Sequence, residues 1–247
     1  MAISLAQSDL RTHYIRDPFA IETIDVDQIV QELTEGSPGS TPSIWVGHTP
    51  LTEYDHVVLA SDRRSGHCLG VMGARDGVTE RDEEFLFIHT GFVAERARGK
   101  GLMRRMIALN LLRAAGNDAM PRIIAARTSS RLFYRVLHDF GARIPEVVVY
   151  PDLEAGPVSL PAAGLAQRIA RQVARGTRFE PGTGALRGGL LAAGGAPIPP
   201  MLSHDPRIDE LFGRTLAPSD QILAMVDLRA ASEEAILDEA RRIYRRN

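Results

Sequence analysis

The sequence predicts one α/β domain: a central mixed β-sheet flanked by helices. Three observations predict it. Three short strands follow one another between residues 57 and 94, joined by tight turns. A basic, glycine-containing loop at 94–101 then leads straight from the third strand into a helix. Strand, helix and strand alternate from there to residue 150.

Composition sets the outer limits. At roughly 150 residues per domain, 247 residues make one to two domains. Hydrophobic residues at 44% and charged residues at 24% exclude a disordered or collagen-like chain. Lys+Arg 29 against Asp+Glu 31 gives a net charge of -2, without the basic surplus of a general nucleic-acid binder. The lone cysteine, Cys68, excludes a disulfide framework and a Cys-based zinc cluster. No run of 18 apolar residues exists, and Met1 to Asp9 lacks the basic start and apolar core of a signal peptide. The expectation is a cytoplasmic protein with no nucleic-acid or membrane partner.

Residues 1–24 carry no readable pattern. Val26, Ile29, Val30 and Leu33 recur at helical spacing, and Gly36 and Pro38 stop that helix. Residues 36–43 have loop chemistry. Val57 to Ala60, Cys68 to Ala74 and Glu84 to Val93 form an antiparallel meander. Its third strand is apolar on both faces and belongs inside the sheet. Leu102 to Ala115 is a helix ending at Gly116. Arg122 to Arg127 is a strand. Ser129 or Ser130 caps the next helix, which stops near Gly141, and Val147 to Tyr150 is a strand. Leu165, Ile169 and Val173 mark a helix over 160–175. Residues 181–200 contain ten Gly or Pro and read as a long loop. Gln221 to Leu228 is a strand, and Ser232 caps a final helix, acidic at its start and rich in Arg at its end.

The loop carries the chemistry. Amides at a helix start, a positive dipole end and glycines that allow close approach make a phosphate cradle. Arg98, Lys100, Arg104 and Arg105 add positive charge to it. The Walker pattern is absent, and a dinucleotide fingerprint needs a third glycine and a parallel βαβ unit. Val93 followed by Arg98-Gly99-Lys100-Gly101-Leu102-Met103 resembles the pyrophosphate loop of the GNAT superfamily of N-acetyltransferases. The frame from Arg96 also fits that pattern; the frame from Arg98 has the usual distance from Val93 but puts Met103 where Gly or Ala is usual. The resemblance covers about 57–150. It implies a core of about 44–152 plus 218–247 and an insertion of about 155–217.

The resemblance also implies a function. The chain is then an acyl-CoA-dependent N-acetyltransferase that moves acetyl from acetyl-CoA, its cosubstrate, to a small-molecule or peptide amine by direct attack in a ternary complex. Phe92, Val93, Arg98, Gly99, Lys100, Gly101, Leu102, Met103, Arg104 and Ser130 hold the cofactor, with a bulge expected at Gly91. Glu83, Glu84 and His89 are candidate bases, and Tyr134 is the candidate acid. Tyr134 fits only if its helix runs about a turn longer than usual. Trp45 lies where relatives form the acceptor pocket. The seven histidines show no metal-ligand spacing, so no metal is expected. The insertion is placed to shape substrate access as a lid, or to form a homodimer contact. The alternatives are a non-catalytic acyl-CoA-binding or regulatory module on the same fold, and an acyltransferase using a longer acyl chain.

Overall fold

The computed structural model describes residues 10–16, 20, 25–37, 51–116, 120–153, 159–192 and 201–245. Trp45 lies outside them. The strands are β1 (Leu10–Ile15), β2 (His56–Asp62), β3 (Cys68–Val78), β4 (Glu84–Val93), β5 (Ile123–Thr128), β6 (Val148–Tyr150), β7 (Arg178–Glu180), β8 (Ala185–Arg187) and β9 (Gln221–Asp227). The helices are α1 (Val26–Glu35), α2 (Leu102–Ala115), α3 (Arg131–Gly141), α4 (Leu160–Val173), α5 (Gly189–Ala192), α6 (Pro206–Thr215) and α7 (Glu233–Arg245). The strands pair in the order β1-β2-β3-β4-β5-β9-β8-β7, with β6 also on β9. The protein is thus a mixed α/β fold on one large, mostly antiparallel sheet. Among the described residues no helix is long and apolar enough to cross a membrane. The chain divides into two compact units, one of residues 1–75, 88–120 and 237–247, the other of 76–87 and 121–236.

In the first unit, β1 pairs antiparallel with β2 along its whole length. Sequence reading left this strand out. Its Leu-Arg-Thr-His-Tyr-Ile alternates weakly, because only Leu10 is fully apolar and buried while Arg11 and His13 are exposed. Helix α1 starts where Asp25 accepts from the Gln28 amide at 2.9 Å. Its Ile29 and Leu33 pack with Val57, Val71, Phe92 and Ala94. The buried residues of helix α2, from Leu102 and Met103 through Leu111 to Ala114, are apolar with one exception. The exception is Asn110, 0% exposed, whose amide nitrogen and oxygen have no partner.

In the second unit the apolar stripe of α4 finds the sheet. Leu165, Ala166 and Ile169 pack on Phe85, Phe87, Ile123, Ala125, Leu223 and Met225. Ser130 is the cap of α3, accepting from the Phe133 amide at 3.2 Å. The long loop expected at 181–200 is corrected over its described part. Residues 178–187 form a hairpin, and Ala185 and Leu186 are fully buried. Three of those ten Gly or Pro residues stand in the turn, Pro181-Gly182-Thr183-Gly184, and three residues suffice for each strand. Residues 193–200 lie outside the described residues. Strand β9 receives β5 along one edge, while its other edge is shared: β6 takes Met225 to Asp227 and β8 takes Gln221 and Ile222. The Leu223 amide between them donates to the Gly184 carbonyl at 2.9 Å, so the edge has no gap there.

Two ion-pair clusters fasten this unit. Arg187 joins Glu180 and Asp220, each at 2.6 Å. Glu83 accepts from Arg168 Nε at 2.6 Å and from Thr79 Oγ1 at 2.7 Å, with Arg229 at 3.5 Å. The Arg168 hydrogen bonds hold the Glu83 carboxyl down at about 2. The folded carboxyl therefore binds its proton less tightly than the unfolded one. Its stabilisation is complete above the ordinary carboxylate value and is lost as pH falls from about 4.5 through about 2. Denaturation of Glu83→Gln from pH 7 to pH 2 is expected to show lower stability at pH 7 and a flatter acid limb than the unmodified protein; parallel limbs would refute the assignment. Asn110→Leu removes two unpartnered polar atoms at similar volume. It is expected to raise stability by about 1–3 kcal/mol in denaturant titration.

Candidate functional site

The first unit contains the cradle. β4 ends at Val93, and the Ala94 amide donates to the Leu69 carbonyl at 2.8 Å. A single 3-10 turn follows at Glu95–Ala97, with the Glu95 amide held by Ser37 Oγ at 2.8 Å. The loop then turns through Gly99 at φ 76° and Gly101 at φ 71°, both left-handed, where a side chain is strained. A Cβ built on either glycine meets nothing within 4 Å, so the space before the loop is open. Gly101 caps α2 without a side-chain oxygen, and no acidic residue stands in the helix's first turn. Arg104 and Arg105 stand there instead, with Arg98 and Lys100 beside them. Four cations at a positive dipole end are an arrangement an anion stabilises, not one that stabilises a helix by itself.

The expected cofactor residues of this unit come together in this short stretch. Phe92 and Met103 are each 9% exposed and Leu102 2%. Met103 thus sits in the core, where its departure from Gly or Ala costs the open space nothing. Arg98 turns back, its Nε donating to the Val93 carbonyl at 3.2 Å. The Arg105 guanidinium lies 4.9 Å from the Tyr244 ring centroid.

His89, on the same strand, is half-buried and its Nδ1 lies 3.2 Å from the Tyr54 hydroxyl. Tyr54 belongs to the cluster that holds Phe92. Tyr54 escaped the sequence reading, because an isolated Tyr before β2 carries no spacing signal toward residue 89.

The second unit holds the remaining candidates. Glu84 is exposed at the start of β4. Glu83 is committed to Arg168, and its lowered carboxyl is a weak base. Ser130 uses its hydroxyl on the Phe133 amide. Tyr134 is 0% exposed, and its hydroxyl donates to the Pro151 carbonyl at 2.5 Å. Burial, with Asp152 nearby, pushes the phenol well above its usual range. Phe212 meets the ring edge-on at 5.6 Å.

No family model matches the chain, and no curated protein matches it. Solved structures similar to parts of it include many GNAT family N-acetyltransferases. One from Escherichia coli, in complex with CoA, is 17% identical, covering 52% of this chain and 67% of its own, with a TM-score of 0.38. An IAA acetyltransferase from Bacillus cereus is 18% identical, covering 58% and 83%, with a TM-score of 0.35. A GNAT family acetyltransferase from Brucella melitensis, in complex with acetyl-CoA, is 15% identical, covering 47% and 75%, with a TM-score of 0.34.

The bond from Tyr134 to Pro151 makes a direct prediction. Tyr134→Phe leaves a buried carbonyl without its donor and is expected to cost about 1–3 kcal/mol in urea denaturation. Unchanged stability would show that the hydroxyl has no anchoring role.

Proposed function

We propose that the chain is an acyl-CoA-dependent N-acyltransferase of the GNAT superfamily that transfers acetyl from acetyl-CoA to an amine. The observation that supports this most is the loop: two left-handed glycines before open space, at an uncapped helix start with four cations. The space suits a diphosphate, since a Cβ at either glycine would project into it. In this reading the amides of Gly99 to Arg104, with Arg98, Lys100 and Arg104, hold the pyrophosphate. Phe92 and Val93 line the pantetheine arm. The core of about 44–152 plus 218–247, with its insertion, is part of the same proposal.

His89 is the base we favour. It is half-buried toward the loop end of β4, whereas Glu84, at the start of the same strand, is exposed and Glu83 is bound to Arg168. The base takes a proton from the acceptor ammonium, the neutral amine attacks the thioester carbon, and the departing thiolate takes up a proton. An acid role for Tyr134 requires release of its hydroxyl from Pro151. That requirement favours an anchoring role for Tyr134. It also supports a second reading, an acyl-CoA-binding module without catalysis. Thiol release from acetyl-CoA with a panel of primary amines separates the two, and a series of acyl chain lengths tests the preference for acetyl.

CoA at a hundredfold excess over its Kd is expected to stabilise the protein by about 2.7 kcal/mol. Gly101→Glu is expected to lose about 1 kcal/mol of intrinsic stability from the left-handed backbone and all of the CoA-dependent shift. A thermal shift assay with and without CoA separates the two effects. An unmodified protein that shows no shift would falsify the assignment of the loop.

A further inference from the structure

We propose that Tyr54 is a positioning residue for His89: its oxygen accepts from His89 Nδ1–H and so presents Nε2 as the proton-accepting atom. This rests on the acyl-transfer reading above. The geometry that carries it lies within the first unit. The Tyr54 hydroxyl is 3.2 Å from His89 Nδ1, with ring centroids 5.7 Å apart at 50°. Tyr54 is 4% exposed, and its ring closes on Gly73, where an added Cβ would stand 2.7 Å from ring carbons. The Arg75 guanidinium lies 5.5 Å from the ring centroid and is itself ion-paired with Glu53. The ring is therefore clamped, and the hydroxyl meets the imidazole at a set place.

The chemistry of the partner matters. A neutral imidazole carries one N–H and one lone pair, and the hydrogen bond at one nitrogen selects which nitrogen keeps the lone pair. A base that takes an ammonium proton on Nε2 must hold its resting proton on Nδ1. The ammonium N–H bond then breaks, its electron pair stays on the amine, and the proton binds Nε2. Nδ1–H keeps the same acceptor before and after, so nothing rearranges during the step. A carboxylate in that place would hold the imidazolium and blunt the base. A phenol oxygen accepts without imposing that charge. Glu32 and Arg96 act on Cys68. A second pair, Tyr14 and His56 at 2.7 Å, has the same chemistry, but His56 is 3% exposed, whereas His89 is half-buried.

The test uses the full chain. Imidazole 15N shifts of the unmodified protein are expected to show neutral His89 with its proton on Nδ1; a proton on Nε2 overturns the proposal without any variant. Tyr54→Phe keeps the ring and removes the oxygen. It is expected to move the His89 titration, and the rising limb of the pH–rate profile for acetyl transfer to primary amines, by at least about half a pH unit. KM for acetyl-CoA should change less than twofold. His89→Gln should remove the limb, and adding Tyr54→Phe to it should lower kcat no further than twofold. An unmoved titration in folded Tyr54→Phe, or a multiplicative loss in the double variant, overturns the positioning role. Absence of a CoA thermal shift overturns the acyl-transfer reading instead, and the 15N experiment still decides whether Tyr54 governs His89.

Discussion

The passage from β4 into α2 depends on two positions that carry no side chain. Gly99 and Gly101 both take left-handed backbone, and the chain turns at once from strand to helix. That turn sets where α2 begins, and α2 is buried along nearly its whole length against the rest of its unit. It also leaves the helix start without the acidic residue or capping side chain that would satisfy it internally. Where the helix begins and what its start can accept thus depend on the same two glycines.

The meander, the loop, α2, β5, α3 and β9 were legible in the sequence because their signals are local. Apolar periodicity marks the helices, and glycine or serine marks their ends. The stripe of α4 was legible for the same reason, and its partners on the sheet agree with it. The hairpin at 178–187 was not legible. Its strands are three residues each, too short for a period, and it runs into a stretch whose ten Gly or Pro residues read as a loop. Strand β1 was missed because Arg11 and His13 dilute its pattern. At the site, the loop could be read from spacing alone, whereas the pairing of Tyr54 with His89 joins residues 35 apart that no local pattern links. The commitment of Tyr134 to Pro151 is equally non-local, 17 residues along the chain.

Both units give their buried carboxylates an arginine. In the second, carboxylates are answered by arginines: Glu83 by Arg168 and Arg229, Asp220 by Arg187 and by the amides of Gly188 and Ala217. Removing one partner there strands a half-buried charge. The first unit has such a pair as well, buried Glu239 with Arg242, and also a phenol against an imidazole, with cations over aromatic rings.

The shared edge of β9 has a consequence for behaviour in crowded solution. Without the hairpin, the Gln221–Leu223 stretch of β9, buried and apolar apart from Gln221, would present open backbone groups to any passing strand. With it, the outermost strand of the ordered pairing is β7, only three residues long, with Arg178 and Glu180 on either side of Phe179. Charged, very short borders are poor templates for edge-to-edge growth. The hairpin that composition disguised as a loop thus serves as a guard against fibrous self-association.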